Sequence, residues 1–465
     1  MTLQHFAPLT PVILGLLVAT APFECPAQST IEVWVSSLDK SKALTPEAPL
    51  EPSGESAAAA EIHVDETRTY QTVLGLGASL EHSTCYNISL LAPEKQEHLI
   101  ESLVDPDKGI GMNLMRVCIG TSDFTGDPWY SYNDLPDGET DPDLKNFSIE
   151  KDRAYVLPVL KLALKKNPNL LFYASPWSPP GWMKDRGRGM CGGILKPDYY
   201  GVYARYLAKF VQAYQAEGVP LHAMTLQNEP GVNTQQYPSC YWRGEWQRDF
   251  IRDYVGPLFS AERIATRIWC FDHNFNNLAF PRTVLGDPEA AKYVEGTAFH
   301  LYEGRPEAMS ALHDEFPDKQ IFFSEGSVYG TRGALQIISY FRNWAQSYNA
   351  WVTVIDQDAK PNNGPHECDP TVIVLDTRDM SLEYRNDYYI YGQFMKFIQR
   401  GAARIDSTPG EGPFNNVAFK NPDGSIVVIV ANDTAAIQPL SISCGETRFG
   451  HSLTPYSVAT YRFRI

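Results

Sequence analysis

The chain has 465 residues, 43% hydrophobic and 20% charged, enough for one large domain with an attachment or for two to three ordinary domains. Its 55 acidic against 39 basic residues give a formal charge of -16, which argues against nucleic acid or an anionic membrane surface as partner and fits a neutral substrate. The 12% aromatic content suits a sugar-stacking cleft and a large core equally, so by itself it selects neither.

The first element is the apolar segment 11–21 (PVILGLLVATA), too short to span a bilayer and suited to the core of a secretory signal, with Ala27 before Gln28 as the cleavage point. The residues before it include no Lys or Arg, which is unusual for such a signal. A signal over 1–27 implies a secreted or periplasmic protein with no obligatory membrane association. It also removes Cys25 and leaves seven cysteines, an odd number that implies at least one free thiol. Cys118 and Cys270 lie in apolar runs and read as small buried hydrophobes, whereas Cys191 and Cys240 fall in consecutive long loops and form a candidate pair. No CxxC, HExxH or other metal spacing occurs, so neither metal nor cofactor is expected.

Residues 31–36 alternate as a strand, 42–60 are a Pro-, Ala-, Glu- and Ser-rich loop or linker, and strand character returns at 62–64 and 70–74. Eight apolar runs then alternate with helical stretches: 72–76, 112–119, 170–175, 221–226, 267–271, 296–301, 320–324 and 350–355. Between them, Ser148 caps a helix running through Asp152, Val156 and Val159 to Leu164, and Tyr203, Leu207, Phe210, Val211 and Tyr214 mark one helical face ahead of Gly218. Trp246, Phe250, Tyr254 and Leu258 mark another, and these aromatics read as core. The pattern predicts an α/β fold, a (β/α)8 TIM barrel over 72–394, with a doubly wound sheet as the alternative. Beyond residue 394 the grammar changes to short strands and turns, which predicts a β-sandwich over 395–465 completed by the strands of 28–71, so that one side domain is built from both chain ends.

Two strand ends carry the chemistry. The fourth run ends in Gln227-Asn228-Glu229-Pro230 and the seventh in Ser324-Glu325-Gly326. In a barrel, both carboxylates enter one mouth from different sides, and a pair of Glu residues is what glycoside hydrolysis needs. Asn228 is placed to bind the hydroxyl beside the anomeric carbon or, alternatively, to cap its loop. Arg116 and Asp123 bracket the end of the second strand. An Arg there keeps a nucleophilic carboxylate charged, and Asp123 suits two adjacent sugar hydroxyls. Trp177 reads as a pocket wall and Trp182 as loop packing. His300 and Tyr302 alternate and so face the same way, with Tyr302 within reach of the nucleophile and His300 a site candidate although a lone His is more often structural.

Residues 116–124 (RVCIGTSDF), 175–182, 225–230, 299–302 and 323–326, in this order, resemble glycoside hydrolase family 30, particularly its glucosylceramidase-like branch. The resemblance runs from about residue 72 to the C-terminus and includes 237–240, 247–251 and the barrel exit at 396–401. It implies a barrel with a side β-sandwich, retention of anomeric configuration, Glu229 as acid/base and Glu325 as nucleophile, with Asp123, Trp177, Asn228 and Tyr302 in the sugar pocket. Two departures stand out. The first-strand turn, which ends in Thr-Asp in the glucosylceramidases, reads Ser79-Leu80-Glu81-His82, and the eighth run places Ile355 or Asp356 where those enzymes have an aromatic wall. Both are expected to touch the sugar pocket or its rim. The function implied is a secreted retaining β-glycosidase acting on a carbohydrate or glycoconjugate, with an endo-β-1,6-glucanase as the enzymatic alternative and a catalytically inactive carbohydrate-binding protein as the alternative of another class. The oligomeric state stays open.

Overall fold

Runs such as Leu-Met-Arg-Val-Cys-Ile and Gln-Ile-Phe-Phe-Ser-Glu have no polar face to turn toward water, so they must be covered on both sides. In the computed structural model they are parallel strands of an eight-stranded sheet curled into a barrel. The structure describes residues 1–2, 30–53, 61–126, 128–366, 372–408 and 414–465. Residues 3–27 of the proposed signal with Cys25, residues 54–60 of the expected linker, and Cys368 lie outside the described residues. In chain order the barrel strands are β1 (Gly75–Ser79), β2 (Leu114–Ile119), β3 (Leu171–Pro176), β4 (Leu221–Thr225), β5 (Arg267–Asn274), β6 (Val294–His300), β7 (Gln320–Glu325) and β8 (Ser347–Val352). The seam between β7 and β8 is closed by a bridge between Ile321 and Ala345 and by Gly326 N–H donating to Asn349 O at 3.1 Å.

The lumen is layered by the two-residue period of a strand. A lower plug of Leu114, Tyr173, Ala223, Trp269, Ala298 and Phe322 is fully buried, with the rings of Trp269 and Phe322 stacked at 3.9 Å. Two residues further along four of these strands stand Arg116, Ser175, Thr225 and Ser324, so the next layer is polar. The site therefore rests on an apolar, closely packed floor. At Gly77, β1 lies so close to β2 that an added Cβ would stand 2.0 Å from Leu114 O.

The side sheet has nine strands and draws on both ends of the described chain. Glu32–Ser37 pairs antiparallel with Ser457–Phe463, and the single long strand Glu61–Thr72, which the sequence reading had divided in two, lies between Gln438–Cys444 and Ala403–Ser407. Its own core includes Val33, Val35, Ile62, Val64, Val428, Leu440 and Ile442. Arg342 ties the barrel to it by donating to Asn416 O at 2.6 Å and Ser407 Oγ at 2.9 Å.

Two local expectations are corrected. The helix expected after Ser148 begins with a tight 3-10 turn, Glu150–Arg153, and becomes α-helical only at Val156–Lys166. The turn carries Asp152 inward, where it accepts from Tyr130 (2.7 Å), Tyr132 (2.7 Å) and Tyr214 (2.5 Å). Cys191 and Cys240 are both free thiols. A strand bridge aligns Cys191 with Pro238 rather than with Cys240, and the buried Lys184 ammonium joins the two loops instead, donating to Met190 O at 2.6 Å and Ser239 O at 2.9 Å. Cys118 and Cys270 are buried as expected.

The close β1–β2 approach is testable. Gly77→Ala sets a methyl group against backbone, which cannot rotate away, and should cost about 1–3 kcal/mol, the usual penalty of overpacking. Thermal unfolding should show a lower Tm; an unchanged Tm would mean that these strands are further apart.

Candidate active site

A cleft of about 920 Å³ opens at the C-terminal ends of the barrel strands. Asp123, Trp177, Asn228, Glu229, Tyr302 and Glu325 all line it, while Arg116 and His300 lie fully buried directly beneath. The structure thus brings together every sequence-nominated site residue.

One oxygen of Glu229, one of Glu325 and a ring nitrogen of His300 lie within 4.8 Å of one another. Glu325 has both oxygens engaged: Arg116 Nη1 donates to Oε2, and Tyr302 OH donates to Oε1 at 2.7 Å. Glu229 is held by its backbone, its N–H donating to Asp272 O at 2.9 Å, with φ at +48°, and its carboxyl group projects partly exposed into the cleft. Asn228 accepts from Arg116 Nη2 at 2.8 Å through Oδ1, which leaves its NH2 group for a ligand. Burial, then the charges of Glu325 and Glu229, push the Asp123 carboxyl up to about 7, against the backbone N–H groups of Asp123 and Phe124, which favour its charged form.

The residue that organises these contacts is Asp272, which the sequence reading did not nominate. Fully buried, it accepts from Arg116 Nη2 (2.8 Å), Ser175 Oγ (2.9 Å), Thr225 Oγ1 (2.7 Å), His300 Nε2 (2.9 Å) and Ser324 Oγ (2.7 Å). Burial opposes its charge, but Arg116 and His300 outweigh it and hold the carboxyl well below the usual carboxylate range. Alternation from Trp269 would place Phe271 in the lumen. Instead the β5–β6 register shifts between Phe271 and His273, with φ of +74° at Phe271 and +70° at Asp272. This bulge sends Phe271 outward and aims Asp272 at Arg116. The available signal was a third carboxylate at a strand end, one residue past the apolar run 267–271.

His300 connects the layers. Its Nε2 bonds Asp272, and its Nδ1 sits 3.5 Å from Glu229 Oε1 and 3.7 Å from Glu325 Oε1. Burial pushes its pKa down, but Glu325 and Asp272 prevail and raise it to about 10. A protonated ring presents N–H groups on both sides, so a proton rather than a lone pair faces the two carboxylates, and the trio is a poor set of metal ligands.

The aromatic wall is corrected on one point. β8 ends at Val352, so neither Ile355 nor Asp356 faces the sugar pocket; Trp351 does, stacked on Trp177 with ring centres 5.1 Å apart. The apolar run 350–355 outlasts the strand by three residues, so the indole at the true strand end lies inside the run rather than at its end. Arg116 lies 4.9 Å from the Trp177 ring and 5.5 Å from that of Trp351. Trp182 packs in its loop, its Nε1–H donating to Asn133 O at 3.0 Å. The unusual first-strand end is likewise absent from the cleft. Glu81 caps the helix His82–Ser89 by accepting from Thr84 N at 2.7 Å, burial pushes its carboxyl up to about 8, and His82 Nε2 meets Tyr130 OH at 3.0 Å.

A buried Arg holding one glutamate, a second glutamate opposite and an aromatic wall form a glycosidase constellation, and sequence comparison decides its lineage. The Glycosyl hydrolase family 30 TIM-barrel domain matches residues 73–398, and the Glycosyl hydrolase family 30 beta sandwich domain matches 401–461. The chain belongs to glycosyl hydrolase family 30. It is an O-glycosyl hydrolase, and its substrate is a carbohydrate. Among its relatives are Endo-1,6-beta-D-glucanase BGN16.3 of Trichoderma harzianum, 30% identical over 80% of this chain and 80% of that one, and the lysosomal acid glucosylceramidase of Mus musculus, 31% identical over 85% and 82%. In three dimensions the chain is similar to the endo-beta1,6-glucanase BT3312, with a TM-score of 0.85, 29% identity and coverage of 93% of this chain and 98% of that one.

Asp272→Asn keeps the shape but replaces the anion that pairs with Arg116 and His300. Turnover should fall at least about 100-fold with a smaller change in KM, the scale of a reacting group misplaced by ~1 Å. For a histidine raised from 6.5 to about 10, the stabilisation is complete below pH 6.5 and is lost as the pH rises through 10. In Asp272→Asn that loss should begin at lower pH, read from Tm against pH; a coincident profile would contradict the pairing.

Proposed function

We propose that the enzyme hydrolyses a β-linked glucoside by double displacement, with Glu325 attacking the anomeric carbon and Glu229 protonating the leaving oxygen and then activating water. The observation that carries this reading is the close approach of Glu229 and Glu325, one oxygen of each lying within 4.8 Å of the other. Retaining pairs stand about 5–5.5 Å apart, whereas inverting pairs need roughly 6.5–9.5 Å to admit a water. The roles follow from the surroundings. Glu325 is pinned through both oxygens by Arg116 and Tyr302, as a nucleophile aligned for attack must be, while Glu229, more exposed and free of strong side-chain hydrogen bonds, is placed to exchange protons with the leaving group and with solvent.

The glycone pocket is Asp123, Trp177, Asn228 and Trp351. Asp123 offers two acceptor oxygens, Asn228 an amide N–H for the hydroxyl beside the reacting carbon, and the stacked indoles a face for the ring. The relatives' names, a 1,6-β-D-glucanase and a glucosylceramidase, both denote a glucosyl group, which supports glucose in this pocket. We also infer export, supported by the apolar segment 11–21 ahead of Ala27; no helix among the described residues is long and apolar enough to cross a membrane.

The roles separate on leaving-group ability. Glu325→Gln should lower kcat by at least about 10⁴-fold on every substrate, since no covalent intermediate forms. Glu229→Gln should still form the glycosyl-enzyme rapidly from dinitrophenyl glucosides, and azide should restore its turnover as a glycosyl azide. Equal losses for activated and unactivated substrates, without azide rescue, would refute the assignment.

A further inference from the structure

The cleft has two unlike sides. One is apolar, with Phe124, Trp177, Tyr237 and Trp351 and with Val232 packed against them; the other, at the ends of β5 and β6, is His273, Asn274, Asn276, Asn277, Tyr302 and Glu303, with no aliphatic side chain among them. The polar side adjoins the proposed acid/base: Glu229 N–H bonds Asp272 O at 2.9 Å, and an added Cβ on Gly231 would stand 3.0 Å from His273 Nε2. A leaving group protonated by Glu229 therefore lies within reach of this rim.

The rim's hydrogen-bonding capacity is already part-spent within itself, which fixes what remains. Asn274 Oδ1 accepts from Tyr302 N at 3.1 Å, so its NH2 is the group left for a ligand. Asn276 Nδ2 donates to Glu303 Oε2, which leaves Asn276 Oδ1 and Glu303 Oε1 as acceptors on two residues already in contact. The pair is held by a close approach of the two loops: Gly304, at φ +90°, lies where a Cβ would stand 2.5 Å from Asn276 N. Amide N–H donors beside amide and carboxylate acceptors match the hydroxyls of a sugar ring, each of which both donates and accepts. An alkyl chain would strip water from these groups and return no hydrogen bond.

We propose that Asn274, Asn276 and Glu303 form the leaving-group subsite and select a sugar over a lipid. The proposal rests on the glucosidase reading above and adds what stands on the far side of the scissile bond. The negative charge of Glu303 further favours a neutral sugar over one bearing a carboxylate.

The test compares three substrates that share a β-glucosyl group: a β-1,6-linked gluco-oligosaccharide, an aryl β-glucoside and glucosylceramide in mixed micelles. For the wild type, kcat/KM on the oligosaccharide should exceed that on glucosylceramide at least about 100-fold. In Asn276→Ala and Glu303→Ala, the ratio of kcat/KM for oligosaccharide over aryl glucoside should fall at least about 10-fold, the scale of losing a hydrogen bond to a charged group. A general loss of folded enzyme cancels in that ratio. Unchanged ratios in both variants, or glucosylceramide cleaved as well as the oligosaccharide, would overturn the proposal while leaving the hydrolase reading intact. No turnover of any of the three would refute both.

Discussion

The site depends on one buried guanidinium. Arg116 stands in the polar layer of the barrel with no access to water, and its two terminal nitrogens reach Glu325, Asn228 and Asp272 while Nε donates to Ser175 Oγ at 3.1 Å. Burial opposes its charge, yet Asp272 and Glu325 raise its pKa above the ordinary arginine value. Burying such charges is costly, and an apolar core of equal volume is often as stable or more so. The arrangement makes sense as preorganisation: a planar cation with fixed donors sets the position of the attacking carboxylate and of the amide beside it before any sugar arrives. Asp272 fixes Arg116 from below and turns His300 so that its other nitrogen stands between the two glutamates.

The floor makes this possible. Because the plug of Leu114, Tyr173, Ala223, Trp269, Ala298 and Phe322 is fully buried and closely stacked, it offers the polar layer above it few hydrogen-bonding partners, and that layer pairs within itself. Ser175, Thr225 and Ser324 do so with short hydroxyls on neighbouring strands, all aimed at Asp272. The result is polar and rigid beneath the reacting centre and open above it. The same logic shapes the mouth, where an aromatic wall faces a rim of amides and a carboxylate.

Much of this was legible in the amino-acid sequence, because strands and their ends obey simple periods. Glu325 follows directly on an apolar run and Glu229 three residues after one, and the alternation of His300 with Tyr302 puts both on one face near the mouth. The strand count and the change of grammar after residue 394 gave the barrel and its side sheet. What escaped was where the period breaks. Asp272 reaches the lumen only through a bulge with two positive-φ residues, and no alternation foretells it. Trp351 escaped for a simpler reason: an apolar run that outlasts its strand, 350–355, hid the true end at Val352. Hydrophobicity marks what is buried, not where hydrogen bonding stops. Glu81 shows the reverse error, a carboxylate beside a strand end that serves as a helix cap and never enters the cleft.

The claim that joins these observations is that the Glu229–Glu325 pair is spaced and supported for two successive displacements at one carbon. The most direct measurement is the anomeric form of the first product, followed by proton NMR from the first turnovers of an aryl β-glucoside, before mutarotation. The account predicts that the β-anomer of the free sugar appears first and the α-anomer only later. Initial appearance of the α-anomer would mean direct attack by water, and would contradict it.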